Sequence, residues 1–170
     1  LLTAWRRDNS EMFLTKFQTS PERTAAYLKK VVEKRDQTLY LILEDGKIVG
    51  QVGFKELTQK SAVIDNGMRG SRIRNPKIMV LAHKALMNML FQETRIDSLE
   101  GWLMTDNIGG VMMNRAIGWT GWVKYPLIYE AVDEHSHSWK IGSLEESSSY
   151  DRYCFKLSIG RGQLNYAKIH

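Results

Sequence analysis

Three arginines and a lysine, Arg69, Arg72, Arg74 and Lys77, stand close together around Gly70 and Ser71, ahead of one long apolar stretch that Pro76 opens. Those residue types suit an anion. A helix N-terminus exposes unpaired N–H groups and a partial positive charge, so it holds phosphates, and guanidinium groups add bidentate hydrogen bonds. The plain alternative is a solvated loop before a core helix. A second grouping, Asp133-Glu134-His135-Ser136-His137, has metal-ligand types, but no third His or Cys cluster supports it and no metal site is expected. His83 falls inside the long helical stretch and reads as packing. Cys154 falls in a strand pattern and reads as core. Trp5, Trp102, Trp119, Trp122 and Trp139 are spread along the chain and read as core or cleft wall. No interleaved basic and aromatic cluster of the kind that binds RNA is present, which argues against nucleic acid.

Local signals set out the elements that must carry these residues. The segment from Leu1 to Arg6 is short and apolar and reads as an opening strand, with a short helix expected from Glu11 to Phe17. Ser20-Pro21-Glu22 has the form of a helix start, and Ala26, Leu28, Val31 and Val32 continue a helical face to about Lys34. Thr38 to Leu43 and Lys47 to Leu57 are strand-like around the hairpin signal Asp45-Gly46. Ser61 to Asn66 forms a third strand, with a turn expected at Asn66-Gly67. A loop over 69–75 then leads to a helix from Pro76 to about Glu93 with an apolar face of Ile78, Leu81, Ala82, Ala85, Met89 and Leu90. Ser98 to Met104 is a strand, and Asn107 caps a short helix that ends at Gly118. Trp122 to Val132 and Tyr150 to Ile159 are two last strands, joined by a loop holding His135 and His137. The order β-α-α-β-β-β-α-β-α-β-β predicts an α+β fold: a mixed, mostly antiparallel sheet with one βαβ crossover, flanked by helices.

The composition agrees with a single globular domain over residues 1–170. Of 170 residues, 43% are hydrophobic and 25% charged, enough for a proper core without disulfides or metals. No apolar run approaches the ~18 residues that span a bilayer, so no membrane partner is expected. No signal-peptide pattern opens the chain, which starts at Leu1. The lone Cys154 excludes an intrachain disulfide and fits a reducing, cytoplasmic compartment. The net charge of +5 suits an anionic ligand such as a nucleotide, and equally suits plain solubility.

One segment is more specific. Asn107-Ile-Gly-Gly110-Val-Met-Met-Asn114-Arg-Ala-Ile-Gly118-Trp119 resembles the closing motif N-x-x-A-x-x-x-Y-x-x-x-G-F of the GNAT acyltransferase superfamily. Asn107 and Gly118 match, while Gly110, Asn114 and Trp119 replace Ala, Tyr and Phe. Upstream, Arg74-Asn-Pro-Lys77-Ile-Met79 aligns with that family's phosphate-cradling Q/R-x-x-G-x-G/A. Trp5-Arg6-Arg7-Asp8-Asn9 and the hairpin from Gly46 to Gly53 look like the opening of its members that acylate amino sugars or protein N-termini. The resemblance covers about residues 1–130.

The resemblance implies a GNAT-like fold, acetyl-CoA as acyl donor and transfer to a primary amine. It puts Asn66, Gly67, Met68, Arg69, Arg72, Arg74, Lys77, Ile78, Met79, Asn107 and Asn114 at the cofactor. Unpaired amides over 74–79 would grip the diphosphate. A backbone N–H near Asp65 to Gly67 would stabilise the oxyanion. Asp65 is the carboxylate placed to take the amine's proton, or else a turn cap before Asn-Gly. Asn114 stands where many members have an acidic Tyr; it cannot give a proton but could bond the sulfur or the pantetheine arm. Asn107 would contact that arm or simply cap its helix. Lys77 and Met79 replace the usual glycines, which predicts an atypical cradle. The acceptor expected first is a small amine, an amino sugar or sugar nucleotide; a protein N-terminus or side chain is second. A non-catalytic CoA-binding module is the other class, and a homodimer is left open.

Overall fold

The structure is a computed structural model that describes residues 1–16, 18–70, 74–133 and 136–164. Its elements in chain order are α1 (Leu2–Asp8), a 3-10 turn (Ser10–Met12), β1 (Thr15–Lys16), α2 (Pro21–Glu33), β2 (Thr38–Glu44), β3 (Lys47–Lys55), β4 (Ser61–Arg69), α3 (Ile78–Glu93), β5 (Ser98–Met104), α4 (Ile108–Ile117), β6 (Gly121–Asp133), β7 (Ser136–Ile141) and β8 (Tyr153–Gly160). The strands form one mixed sheet in the order β1-β7-β6-β8-β5-β4-β3-β2. Every neighbouring pair is antiparallel except β4 and β5, which run parallel on either side of the α3 crossover. The α+β expectation, the β2–β3–β4 meander and the single crossover are all present. Among the described residues no helix is long and apolar enough to cross a membrane.

Several local expectations are corrected. The opening segment is a helix, α1, because Trp5 must reach the sheet. Trp5 is buried against Gly70, where a Cβ would come within 2.1 Å of the indole Cζ2. The stretch after it is a 3-10 turn and β1, which pairs with β7, rather than a helix; Phe17 lies outside the described residues. The long helix starts at Ile78, not Pro76, with Lys77 at the N-cap. The loop expected to hold His137 contains β7, with His137 paired to Ala131; His135 lies outside the described residues. Finally, β4 does not stop at Asn66 but runs on to Arg69, pairing with Gly50.

The main core lies between the sheet and α3 with α4. Met87, Leu90 and Phe91 of α3 and Ile117 of α4 bury against Ala62, Ile64, Leu99, Leu157 and Ile159 of the strands. Burying each such side chain stabilises by about 1.5–3 kcal/mol. This packing fixes the start of α3 beside the end of β4, which is what the site requires.

Candidate active site

Two features of β4 build the site. First, β4 pairs with β5 only from Ser61↔Ser98 to Ile64↔Gly101. Beyond that the two strands part, and the backbone edge of β4 over 65–69 faces open space. Second, the register on the β3 side slips: Gly53 pairs with Asp65 and Gln51 with Met68, so Asn66 and Gly67 together oppose Val52. This is a β-bulge, with Asn66 in the left-handed region at φ 55°. An Asn tolerates that region better than most residues. The Asn66-Gly67 pair expected to turn the chain back therefore bulges within a continuous strand.

A cleft of about 750 Å³ opens between the parted strands. Asn66, Gly67, Met68, Arg69, Lys77, Met79, Asn107 and Asn114, all assigned to the cofactor from sequence, line it. Its mouth meets the start of α3. Lys77 carries no side-chain cap bond to this helix, and no acidic residue occupies the first turn. The positive end of a 16-residue helix is thus uncompensated by any carboxylate of its own. That arrangement, with the exposed Arg69 and Lys77 nearby, is chemically suited to a diphosphate.

The cradle is narrower than the sequence suggested. The Glu44 carboxylate already accepts the Arg74 and Asn75 amides at 2.8 and 2.7 Å, which holds its pKa below the ordinary carboxylate value. The Lys77 amide donates to Asn75 Oδ1 and the Ile78 amide to the Asn75 carbonyl. The expected run of unpaired amides over 74–79 is corrected on this point. From this stretch Pro76, Lys77, Met79 and Val80 line the cleft. The Arg74 guanidinium reaches Asp45 at 3.3 Å, on the β2–β3 hairpin. Neither Arg74 nor Ile78 lines the cleft. Arg72 lies outside the described residues.

Met79 does not plug the opening. It is buried in the core, its sulfur 2.9 Å from where a Cβ on Gly50 would sit. On the facing wall Asn107 caps α4, its Oδ1 accepting the Gly110 amide at 2.9 Å. A Cβ at Gly110 would fall 2.8 Å from the Asn107 side chain, which accounts for glycine where the motif has Ala. Asn114 is buried and donates Nδ2–H to the Gly110 carbonyl. It supplies no acid.

A second, smaller pocket of about 260 Å³ lies on the opposite side of the bulge, toward α1 and α2. Arg6, Tyr27 and Lys55 line it, and it shares Met12, Phe13, Ile64, Asp65, Asn66, Trp102, Leu103 and Met104 with the cleft. Asp65 Oδ2 accepts Asn66 Nδ2–H at 2.9 Å and lies 3.6 Å from Lys55 Nζ. The Arg6 guanidinium stacks 4.3 Å from the Tyr27 ring centroid. Burial pushes the Tyr27 hydroxyl pKa up, the Asp65 carboxylate adds to the rise, and Arg6 and Asn66 oppose it. The Asp65–Asn66 step is thus the wall between a long cleft and a compact pocket.

Sequence reasoning missed Tyr27, Phe13 and Lys55 of the small pocket, and set His83 aside. His83 is 3% exposed, lines the cleft beneath Gly67, and is kept neutral because burial lowers its pKa. A His on an otherwise apolar helical face was the available signal. The aromatic and basic residues of α1 and α2 carried none, since only the fold brings them to β4.

A mixed sheet with parted parallel strands, a bulge at the split and a helix start at the cleft mouth defines the class: this is the fold of the GNAT acetyltransferases. No family model matches the sequence, and no curated protein matches it. Solved structures are similar in fold. A spermidine N-acetyltransferase from Vibrio cholerae, in complex with CoA and spermine, superposes with a TM-score of 0.70 at 10% identity, covering 96% of this chain and 89% of that one. The Salmonella typhimurium acetyl transferase that modifies the N-terminal serine of a 50S ribosomal subunit protein gives 0.66 at 16% identity, over 94% and 87%. A probable acetyltransferase of the GNAT family from Chromobacterium violaceum gives 0.64 at 14%, over 95% and 77%.

Proposed function

We propose that this chain is an N-acyltransferase that moves an acetyl group from acetyl-CoA to the primary amine of a compact acceptor, an amino sugar or sugar nucleotide before a protein N-terminus or side chain. The observation that carries this reading is the shared wall at Asp65–Asn66. The long cleft suits an extended donor held by its phosphates at Lys77, Arg69 and the start of α3. The compact pocket suits an amine approaching from the other side. The thioester supplies an activated acyl carbon; the chain supplies a bulged backbone over Asn66–Gly67 to face the developing oxyanion and the Asp65 carboxylate to take the amine's proton. With no acid at Asn114, the thiol departs as thiolate, tolerable at its ordinary pKa near ~8.5.

The pocket's dimensions favour a compact acceptor. Lys55 pairs there with Asp65 at 3.6 Å and with Glu56 at 3.9 Å. The pocket's size and the Trp102 and Phe13 rings fit a single sugar ring. The test is free-thiol release from acetyl-CoA against amino sugars, sugar-nucleotide amines, spermidine and short peptides. Release with the amino sugars ahead of spermidine is expected. No release above background with any amine removes the enzyme reading. A rise in melting temperature with acetyl-CoA in that case leaves a CoA-binding module, the reading that the absence of an acid at Asn114 favours.

A further inference from the structure

The bulge on β4 is braced from below by two buried polar side chains that neither the motif nor the cleft chemistry accounts for. Gln51 of β3 is 1% exposed. Its Nε2–H donates to the Asn66 carbonyl at 3.3 Å, at the position where the register slip interrupts the ladder. His83 of α3 is 3% exposed. Its Nδ1 lies 2.7 Å from the Met79 carbonyl; a carbonyl only accepts, so Nδ1 carries the proton and Nε2 is the lone-pair nitrogen. Nε2 faces Gly67 so closely that a Cβ there would lie 2.6 Å from it and 3.0 Å from Cε1. The ring is held by its bond to the Met79 carbonyl, and the space between it and Gly67 admits no side chain.

We propose that Gln51 and His83 are positioning residues for acyl transfer, a bracket that fixes the tilt of the Asn66–Gly67 peptide at the split between β4 and β5. This deepens the transferase reading and rests on it. Gln51 holds the carbonyl side of that peptide and His83 limits its other end. A bulge is otherwise a soft point in a strand, with its extra residues outside the ladder. One hydrogen bond from Gln51 and a steric stop at His83 convert it into a preorganised one, and preorganisation is what an amide aimed at a developing oxyanion needs. A buried Gln and His are costly unless hydrogen-bonded, so their presence in an apolar core calls for such a role.

The experiment measures kcat and KM for acetyl-CoA with the best amine acceptor. Gln51→Met keeps the side chain's length and removes the donor. Its kcat should fall on the order of 100-fold, as a misplacement near 1 Å does, while KM for acetyl-CoA stays within about threefold. Gly67→Ala should lower kcat by pressing on His83, and Gly67→Ala with His83→Ala should recover at least about tenfold over Gly67→Ala alone, the non-additivity of residues in contact. This pair keeps the test open should Gln51→Met fold poorly. Unchanged kcat in Gln51→Met, or a double variant no better than Gly67→Ala, overturns the bracket while wild-type turnover leaves the transferase reading standing. Absence of wild-type turnover with every amine overturns the transferase reading, and the bracket with it.

Discussion

Replacing Asp65 with Asn separates a proton acceptor from a structural ion pair. The substitution keeps the shape and can still accept from Asn66, but it removes the charge opposite Lys55. At 3.6 Å two unit charges attract by about 1 kcal/mol in water-like surroundings. Both side chains are nearly two-fifths exposed, at 39% for Lys55 and 38% for Asp65, so screening and side-chain entropy bring the net value to about 0–1 kcal/mol. The melting temperature of a chain this long should then move by no more than about 2–4 °C. Loss of a general base is far larger, about 10²–10⁴ in rate. Initial rates of thiol release at saturating acetyl-CoA and amine, measured beside melting curves, read both effects. The expected result is kcat down at least about 100-fold with near-native melting and an unchanged KM for acetyl-CoA. An Asp65→Asn enzyme whose kcat stays within about threefold of wild type refutes the base assignment and leaves Asp65 as the partner of Lys55.

Gly70→Ala should destabilise the chain by about 1–3 kcal/mol or more, since its Cβ would meet the Trp5 ring at 2.1 Å and the Val49 carbonyl oxygen at 2.7 Å; a urea midpoint equal to wild type would mean that Trp5 is not seated there. Asn107→Ala should cost about 1 kcal/mol through the lost cap while Asn107→Asp stays near wild type, again by urea unfolding; equal losses in both would remove the capping role. Burial pushes the Cys154 thiol up to about 11, from an ordinary value of 9.0. The folded chain then keeps a proton that the unfolded chain gives up, so this contribution to stability is whole below pH 9 and lost as pH rises toward 11. Cys154→Val should flatten the fall in melting temperature over that window, and an unaltered slope would exclude Cys154 as its source.

Much of this architecture is legible in local sequence because its signals are local. Ser20-Pro21 starts α2, and the Ser20 hydroxyl does accept the Arg23 amide at 3.2 Å. Asn107 and Gly118 bound α4, with Gly118 left-handed at φ 101°. Asp45-Gly46 turns β2 into β3 with both residues at positive φ. Periodicity then marks α3, and a strand on either side of a helix implies the parallel β4–β5 pair. A cap, a turn or an apolar stripe acts over a few residues, so neighbours in the chain suffice to specify it.

Other decisions belong to partners far along the chain. Asn66-Gly67 has the same local preference for positive φ in a turn or a bulge; the continued pairing of Arg69 with Gly50 decides for the bulge. Leu2–Asp8 is helical because Trp5 has its seat at Gly70. Arg74 faces the hairpin rather than the cleft because Glu44 and Asp45 arrive beside it. His83 and Gln51 meet the bulge only through the packing of α3 and β3 on β4. The sequence alone marked most of the helices and strands, though not α1, β1 or β7, and pointed to one helix start as a candidate for an anion. Only the tertiary structure decided where the backbone splits, which amides before α3 are already bonded and which charges face the second pocket, because those depend on free energies of contact between residues that no short window of sequence contains.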